Sequence, residues 1–220
     1  MSNRTNDIRG EKALGLFLDH YFYPRLCEIE GFIGTQRIYA AEEQKAGIDL
    51  LITNPSGATL TIDEKAQLHY INEPCPTFAF EISFYNENTR SITDGWFVND
   101  SNRSACYILV WIDDARTSQV NRLVEEDFTA VTVLLITKKN IIQYLSKLGY
   151  PINRIKTLAE ELRNRGNKNI YRLSPNTILY FSDAGYDEKP INVLIDKAVL
   201  CKMAYGVYNV TRKDCQKLPK

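Results

Sequence analysis

The sequence has little histidine, no long apolar run and no excess of either charge. Its two histidines, His20 and His69, share no ligand spacing, and its five cysteines, Cys27, Cys75, Cys106, Cys201 and Cys215, contain no CxxC pair. A zinc ribbon or finger is therefore not expected. An odd number of cysteines fits free thiols in a reducing compartment better than a disulfide scaffold. No apolar stretch approaches the roughly 18 residues that a spanning helix needs. Met1 to Gly10 is polar and lacks an apolar signal core. These absences predict a cytoplasmic protein with no membrane partner. Lys+Arg and Asp+Glu are 27 each, so a uniformly basic nucleic-acid coat is excluded. No internal repeat or low-complexity tract is visible.

What is present is an ordinary globular composition: 220 residues, 44% hydrophobic and 25% charged. That length buries a sizeable core in a single domain over 1–220. Zero net charge conceals an asymmetry. Residues 1–137 hold 11 Lys/Arg against 20 Asp/Glu, whereas 138–172 hold 9 against 2. An acidic body beside a basic segment suits a cation site next to a polyanion-binding face, and equally a solvated helical surface. The pattern divides the domain into a core of about 8–137 and a basic, mixed C-terminal extension of about 138–220.

Periodicity predicts a helix over 10–23, where Glu11, Leu14, Leu18 and Tyr21 share a stripe and Pro24 discourages continuation. Strands are predicted over 31–39, 47–53, 59–70 and 77–85. Asn54-Pro55-Ser56-Gly57 turns the second into the third as a hairpin. The near-continuous apolar runs 105–112 and 130–137 suit central strands. Two helices, 138–148 and 155–165, follow. A hairpin over 170–182 and a strand leading into a helix over 191–204 complete the reading. This order predicts an α+β or α/β fold with a mixed central sheet flanked by helices.

The informative segment is Gly47-Ile48-Asp49, followed after 13 residues by Asp63-Glu64-Lys65-Ala66-Gln67. Residues two apart on a strand share a face, so Asp63, Lys65 and Gln67 point one way and Ile62, Glu64 and Ala66 the other. Asp49, on the partner strand, can reach the first side. Paired carboxylates bind magnesium, which keeps waters and bridges to phosphate. The metal lowers the pKa of a bound water, and a lysine can stabilise developing charge. Glu11 heads the apolar stripe of the first helix and can add a third carboxylate, a role that Glu28 or Glu30 can also fill.

This constellation resembles the PD-(D/E)XK nuclease superfamily, with its restriction-endonuclease-like fold. That family carries an acidic residue on a helix, an Asp in a β-hairpin, and Asp/Glu-x-Lys on the next strand. Glu11, Asp49 and Asp63-Glu64-Lys65 match that order over roughly residues 10–85. The Gly-Ile-Asp form is similar to the junction-resolvase and restriction-enzyme branches, although Ile48 stands where Pro is the family's emblem. Gln67 and Tyr70 are similar to the Gln-x-x-Tyr of the exonuclease-like branch, there on a helix and here read on the strand.

The resemblance implies metal-dependent hydrolysis of DNA phosphodiester bonds, with Mg2+ or Mn2+ as cofactor. Asp49, Asp63 and Glu11 would hold the metal, Lys65 would position the attacking water, and Gln67 would orient that water or the lysine. A homodimer is plausible by analogy. Lys138, Lys139, Arg154, Lys156, Arg163 and Arg165 of the basic segment, with Lys147 and Lys168, are the candidate DNA-backbone contacts. Two other readings stand beside this one: a non-catalytic nucleic-acid-binding module on the same fold, and a protein-interaction domain. Each residue alone also has an ordinary use, such as a surface ion pair for Asp63 and Lys65 or a first-turn acid for Glu11. Glu81 borders the site only if its strand neighbours that of Asp63. Trp96 and Phe97 either stack on bases or cap a core under a loop.

Overall fold

The structure, a computed structural model, describes residues 3–165, 169–182 and 188–220. The fold is α+β, with two β-sheets and six α-helices among the described residues. A single mixed central sheet was expected. The difference lies in strand pairing, which depends on partners distant in sequence and leaves no local mark. The chain divides into two compact units, each made of separated stretches: 1–75, 104–137 and 204–220 in the first, 76–103 and 138–203 in the second. The anticipated division near residue 137 coincides with one crossing point, but 76–103 and 204–220 lie on the other side of it.

The first unit opens with helices α1 (Asn3–Tyr21) and α2 (Tyr23–Glu30). Pro24 was expected to discourage continuation of the first helix, and α1 ends before it, at Tyr21. Pro24 itself falls in the first turn of α2, where a missing N–H is tolerated. Helical bonding crosses the junction, from Phe22 N–H to Leu18 O at 2.9 Å and from Leu26 N–H to Phe22 O at 2.8 Å. Gly31, at φ 71°, ends α2 in the left-handed conformation.

Strand β1 (Gly34–Arg37), helix α3 (Ala41–Lys45), and strands β2 (Leu50–Thr53) and β3 (Thr59–Ala66) follow. The β2–β3 turn is as expected: Asn54 Oδ1 accepts from Ser56 N–H at 3.0 Å and Ala58 N–H at 2.9 Å. Strands β6 (Cys106–Ala115), β7 (Phe128–Thr137), β11 (Gly206–Thr211) and β12 (Cys215–Lys217) complete the sheet, in the order β1-β2-β3-β6-β7-β11-β12. The β3–β6 pair is parallel and every other pair antiparallel. A parallel neighbour needs a crossover, and residues 67–105 supply it. Cys106 to Ile112 are all buried, as their apolar run predicted.

Helices α1 and α2 pack on one sheet face. Leu14, Phe17, Leu18, Phe22 and Leu26 meet Leu50, Ile52, Ile62, Ile108, Val110, Val133 and Tyr208 in one core. Each fully buried Leu, Ile or Phe contributes about 1.5–3 kcal/mol.

The second unit holds an antiparallel sheet of β4 (Thr77–Asn86), β5 (Ser91–Asp94), β8 (Ile170–Ser174), β9 (Thr177–Phe181) and β10 (Ile191–Asp196), in the order β5-β4-β10-β9-β8. Its helices are α4 (Lys138–Lys147), α5 (Ile152–Asn164) and α6 (Lys197–Met203). Both α4 and α5, the β8–β9 hairpin and the β10–α6 passage match expectation. β5 lies outside the strands that the sequence pattern predicts, and it zips to β4 through Tyr85 and Ile92. No helix among the described residues is long and apolar enough to cross a membrane.

Candidate active site

Asp49 stands one residue before β2. The chain reaches it from α3 through Gly47, whose φ of 71° turns the backbone out of the helix. Ladder bonding already includes Asp49: its N–H donates to Ile62 O at 2.9 Å, and its O accepts from Ile38 N–H at 2.8 Å. Since Leu50 is paired with Ile62, Asp49 lies across from Asp63. Directly opposed residues share a face.

Asp63 and Lys65 project from that face of β3, beside Tyr107 and Leu109 of β6. Asp63 is 1% exposed and partly neutralised by Lys65, whose Nζ donates to Asp63 Oδ1 and, at 3.3 Å, to Glu64 O. Glu64 N–H donates to Asp49 Oδ2 at 2.9 Å. Tyr107, directly across from Asp63, was not among the expected site residues. Its strand reads as uniformly apolar, and only the register brings it to the carboxylate. Burial, followed by the Asp63 charge, pushes its phenol up.

Helix α1 brings Glu11 to the same charges. It lies close against the turn after β3 because Gly10 has no side chain. A Cβ there would stand 2.9 Å from Val120 Cγ1 and 3.3 Å from Leu68 Cδ1. Glu11 is itself solvent-exposed. The protein mass around its carboxyl raises its pKa, Lys65 opposes the rise, and Asp49, Asp7 and Asp63 add to it. Asp49 is raised by burial, relieved by Lys65 and raised again by Asp63. For Lys65, burial works against the charge, but Asp63, Asp49 and Glu11 together outweigh it and raise the ammonium. The site is therefore an acidic set held around one permanent cation.

Of the helix acids Glu11, Glu28 and Glu30, Glu11 is coupled electrostatically to Lys65. Glu30 is engaged elsewhere, accepting from Tyr208 Oη at 2.8 Å and pairing with Lys217 Nζ at 2.6 Å. Gln67 departs from its predicted place on the strand. β3 ends at Ala66, and Gln67 heads a 3-10 turn, Leu68–Tyr70. Its N–H donates to Val110 O at 3.0 Å, a last link to β6, and its φ of −88° and ψ of 67° leave extended geometry. Strand alternation thus no longer aligns its side chain with Lys65. His69, in that turn, places Nε2 3.4 Å from Asp7 Oδ1. Glu81 lies on β4, whose partners are β5 and β10, so its strand is not the neighbour of β3.

The basic candidates lie in the second unit. Lys156 pairs with Asp94 at 2.7 Å and Arg165 with Glu161 at 2.9 Å. Arg163 donates to Lys189 O at 2.9 Å and Ser83 Oγ at 3.1 Å and lies over the Phe181 ring. Lys139 and Arg154 are exposed, with Arg154 over Tyr150; neither pairs with a carboxylate among the described residues. Lys138, half-buried, begins α4. Lys168 lies outside the described residues. Phe97 is buried, and both Phe97 and Trp96 pack on Phe80, so the aromatic pair belongs to a core.

Among the described residues, no three His, Cys, Asp or Glu side chains form a ready metal cage. Asp49 and Asp63 nevertheless fit the donor chemistry of magnesium, which is bound by one or two carboxylates and takes its other ligands from water and phosphate. Asp49 is raised first by burial and further by the neighbouring Asp63, and a divalent cation would stabilise its charge.

No protein-family model, curated protein or solved structure matches the chain.

Proposed function

We propose that the chain is a metal-dependent deoxyribonuclease of the restriction-endonuclease-like kind, hydrolysing DNA phosphodiester bonds. The observation that carries this reading is the convergence of Asp49, Asp63 and Lys65 on one face, with the lysine kept charged by the carboxylates. Glu11 adds a third acid from α1.

In this reading Asp49 and Asp63 hold Mg2+ or Mn2+. The ion, when bound, supplies positive charge to the phosphate and lowers the pKa of a water. Lys65, with its raised pKa, is a poor base. Its work is to donate hydrogen bonds to the attacking oxygen and to the charge that builds on the phosphate. Water adds to phosphorus, one P–O ester bond breaks, and the leaving oxygen takes up a proton. Glu11, whose pKa is raised by burial and so leaves it more able to carry a proton than an ordinary glutamate, would take the proton that the water gives up. The basic helices contribute contacts to the DNA backbone. Cutting both strands of a duplex takes two such sites, which a homodimer would provide.

The ion pair between Lys65 and Asp63 favours one other reading, a nucleic-acid-binding module in which that pair is structural. Cleavage of labelled duplex, single-stranded and branched DNA with Mg2+ or Mn2+ separates the two. Cutting by the wild type, lost in both Lys65→Ala and Asp63→Ala, supports the nuclease. Equal binding by all three proteins with no cutting of any substrate supports the module.

A further inference from the structure

Glu64, the residue between Asp63 and Lys65, is the centre of a second set of charges on the opposite face of β3. Arg37 of β1 donates through Nη1 to Glu64 Oε2 at 2.5 Å and through Nη2 to Oε1 at 3.1 Å. Tyr23 of α2 donates its hydroxyl to Oε1. Arg37 also grips Asp19 of α1, from Nε to Oδ2 and from Nη2 to Oδ1, each at 2.7 Å. Nη2 reaches Gly15 O as well, at 3.4 Å. The Arg37 and Glu64 side chains are only 18% and 15% exposed.

We infer that this Asp19–Arg37–Glu64–Tyr23 network is the positioning device of the carboxylate site. Three relationships carry the inference. Glu64 N–H is the donor that holds Asp49 Oδ2. Fixing the Glu64 side chain on one face fixes the rotation of β3, and with it the directions of Asp63 and Lys65 on the other. Asp19 is eight residues beyond Glu11 on α1, about 12 Å along the axis, so the Arg37 clamp sets where α1 lies against β3 and where Glu11 stands. Partly buried ion networks cost desolvation that apolar packing avoids. Bidentate geometry is what such a network supplies in return, and geometry is what a metal-binding carboxylate needs.

The inference rests on the metal-site reading above, and direct metal binding tests it without relying on cleavage. Free Mn2+ is measured by electron paramagnetic resonance in titrations of the full chain: wild type, Glu64→Ala, Glu64→Gln and Arg37→Lys. Near-UV circular dichroism and the thermal midpoint report folding. The expected result is a Mn2+ dissociation constant about 10–100-fold weaker in folded Glu64→Ala. Glu64→Gln, which keeps an acceptor for Tyr23, recovers part of the loss. Arg37→Lys keeps the charge without the fork and also weakens binding. Wild-type affinity in Glu64→Ala, with only a lowered midpoint, would make the network merely structural and overturn the inference. Should Glu64→Ala fail to fold, unchanged affinity in both Glu64→Gln and Arg37→Lys overturns it and weakened affinity supports it. A wild type that binds no Mn2+ removes the metal site itself, an outcome distinct from a wild type that binds and variants that bind equally.

Discussion

Lys65 and Asp63, two residues apart on β3, are joined from Nζ to Oδ1, and beside them burial raises the pKa of Asp49 and of Glu11. Because the folded pKa of Asp49 is raised, its contribution to stability is full below the unfolded value of about 3.9 and is lost as pH rises through the folded value. Asp49→Asn keeps an oxygen for the Glu64 N–H and cannot ionise. It should melt above the wild type at pH 7. Near pH 4 the two midpoints should converge. Thermal denaturation at the two pH values checks this, and equal midpoints at pH 7 would contradict it. Millimolar Mg2+ should narrow the gap by stabilising the wild type alone.

Much of this site was legible because its chemistry is local. Asp63 and Lys65 share a face by strand alternation, and Asn54 to Gly57 dictate the hairpin that brings Asp49 opposite Asp63. The failures come from contacts between segments distant in sequence. Gln67 reads as strand because nothing in Ala-Gln-Leu announces a 3-10 turn, and the turn arises where Leu68 packs against Gly10. The Glu64 network was invisible: Arg37 and Asp19 meet Glu64 only after three elements have packed. The split into two sheets was invisible for the same reason, since Phe78, Phe80 and Ile82 suit either one.

Arg37 holds two carboxylates, so removing it leaves both Asp19 and Glu64 without their cation. Arg37→Met should cost about 3 kcal/mol, the scale for breaking a buried pair from one side. Adding Glu64→Gln to it should return part of that loss, because one unpaired charge disappears. Urea midpoints of the two single variants and the double variant give the coupling energy. Additive losses would mean that Arg37 and Glu64 do not act as a unit.

Gly206 opens β11 beneath the ring of Tyr208. A Cβ there would stand 2.0 Å from the Tyr208 hydroxyl oxygen and 2.4 Å from Cζ. Gly206→Ala must displace the ring and break its bond to Glu30, which also pairs with Lys217 of β12. The expected loss is about 1–3 kcal/mol, the range for overpacking. Burial works against the Glu30 charge, but Lys217 and Tyr208 outweigh it and lower its pKa. Its stabilisation is thus present above the unfolded carboxyl value and is lost as pH falls through the folded one. The gap between Gly206→Ala and wild type should therefore shrink on acidification. A gap independent of pH would place the damage in packing alone.

The basic helices make a prediction that separates spare cations from committed ones. Lys139 and Arg154 are exposed and pair with no carboxylate among the described residues, whereas Lys156 and Arg165 are bound to Asp94 and Glu161. A cation already neutralised releases fewer counterions from DNA than a free one. Each phosphate contact contributes about −0.9 to the slope of log affinity against log salt on duplex DNA. Lys139→Ala and Arg154→Ala should each reduce that slope by about one and weaken binding at low salt regardless of sequence. Lys156→Ala and Arg165→Ala should change it much less. Fluorescence anisotropy on a labelled duplex between 50 and 200 mM salt reads the four slopes. Equal slopes in all four variants and wild type would move DNA binding away from α4 and α5 altogether, and with it the role that the charge asymmetry of the sequence suggests for them.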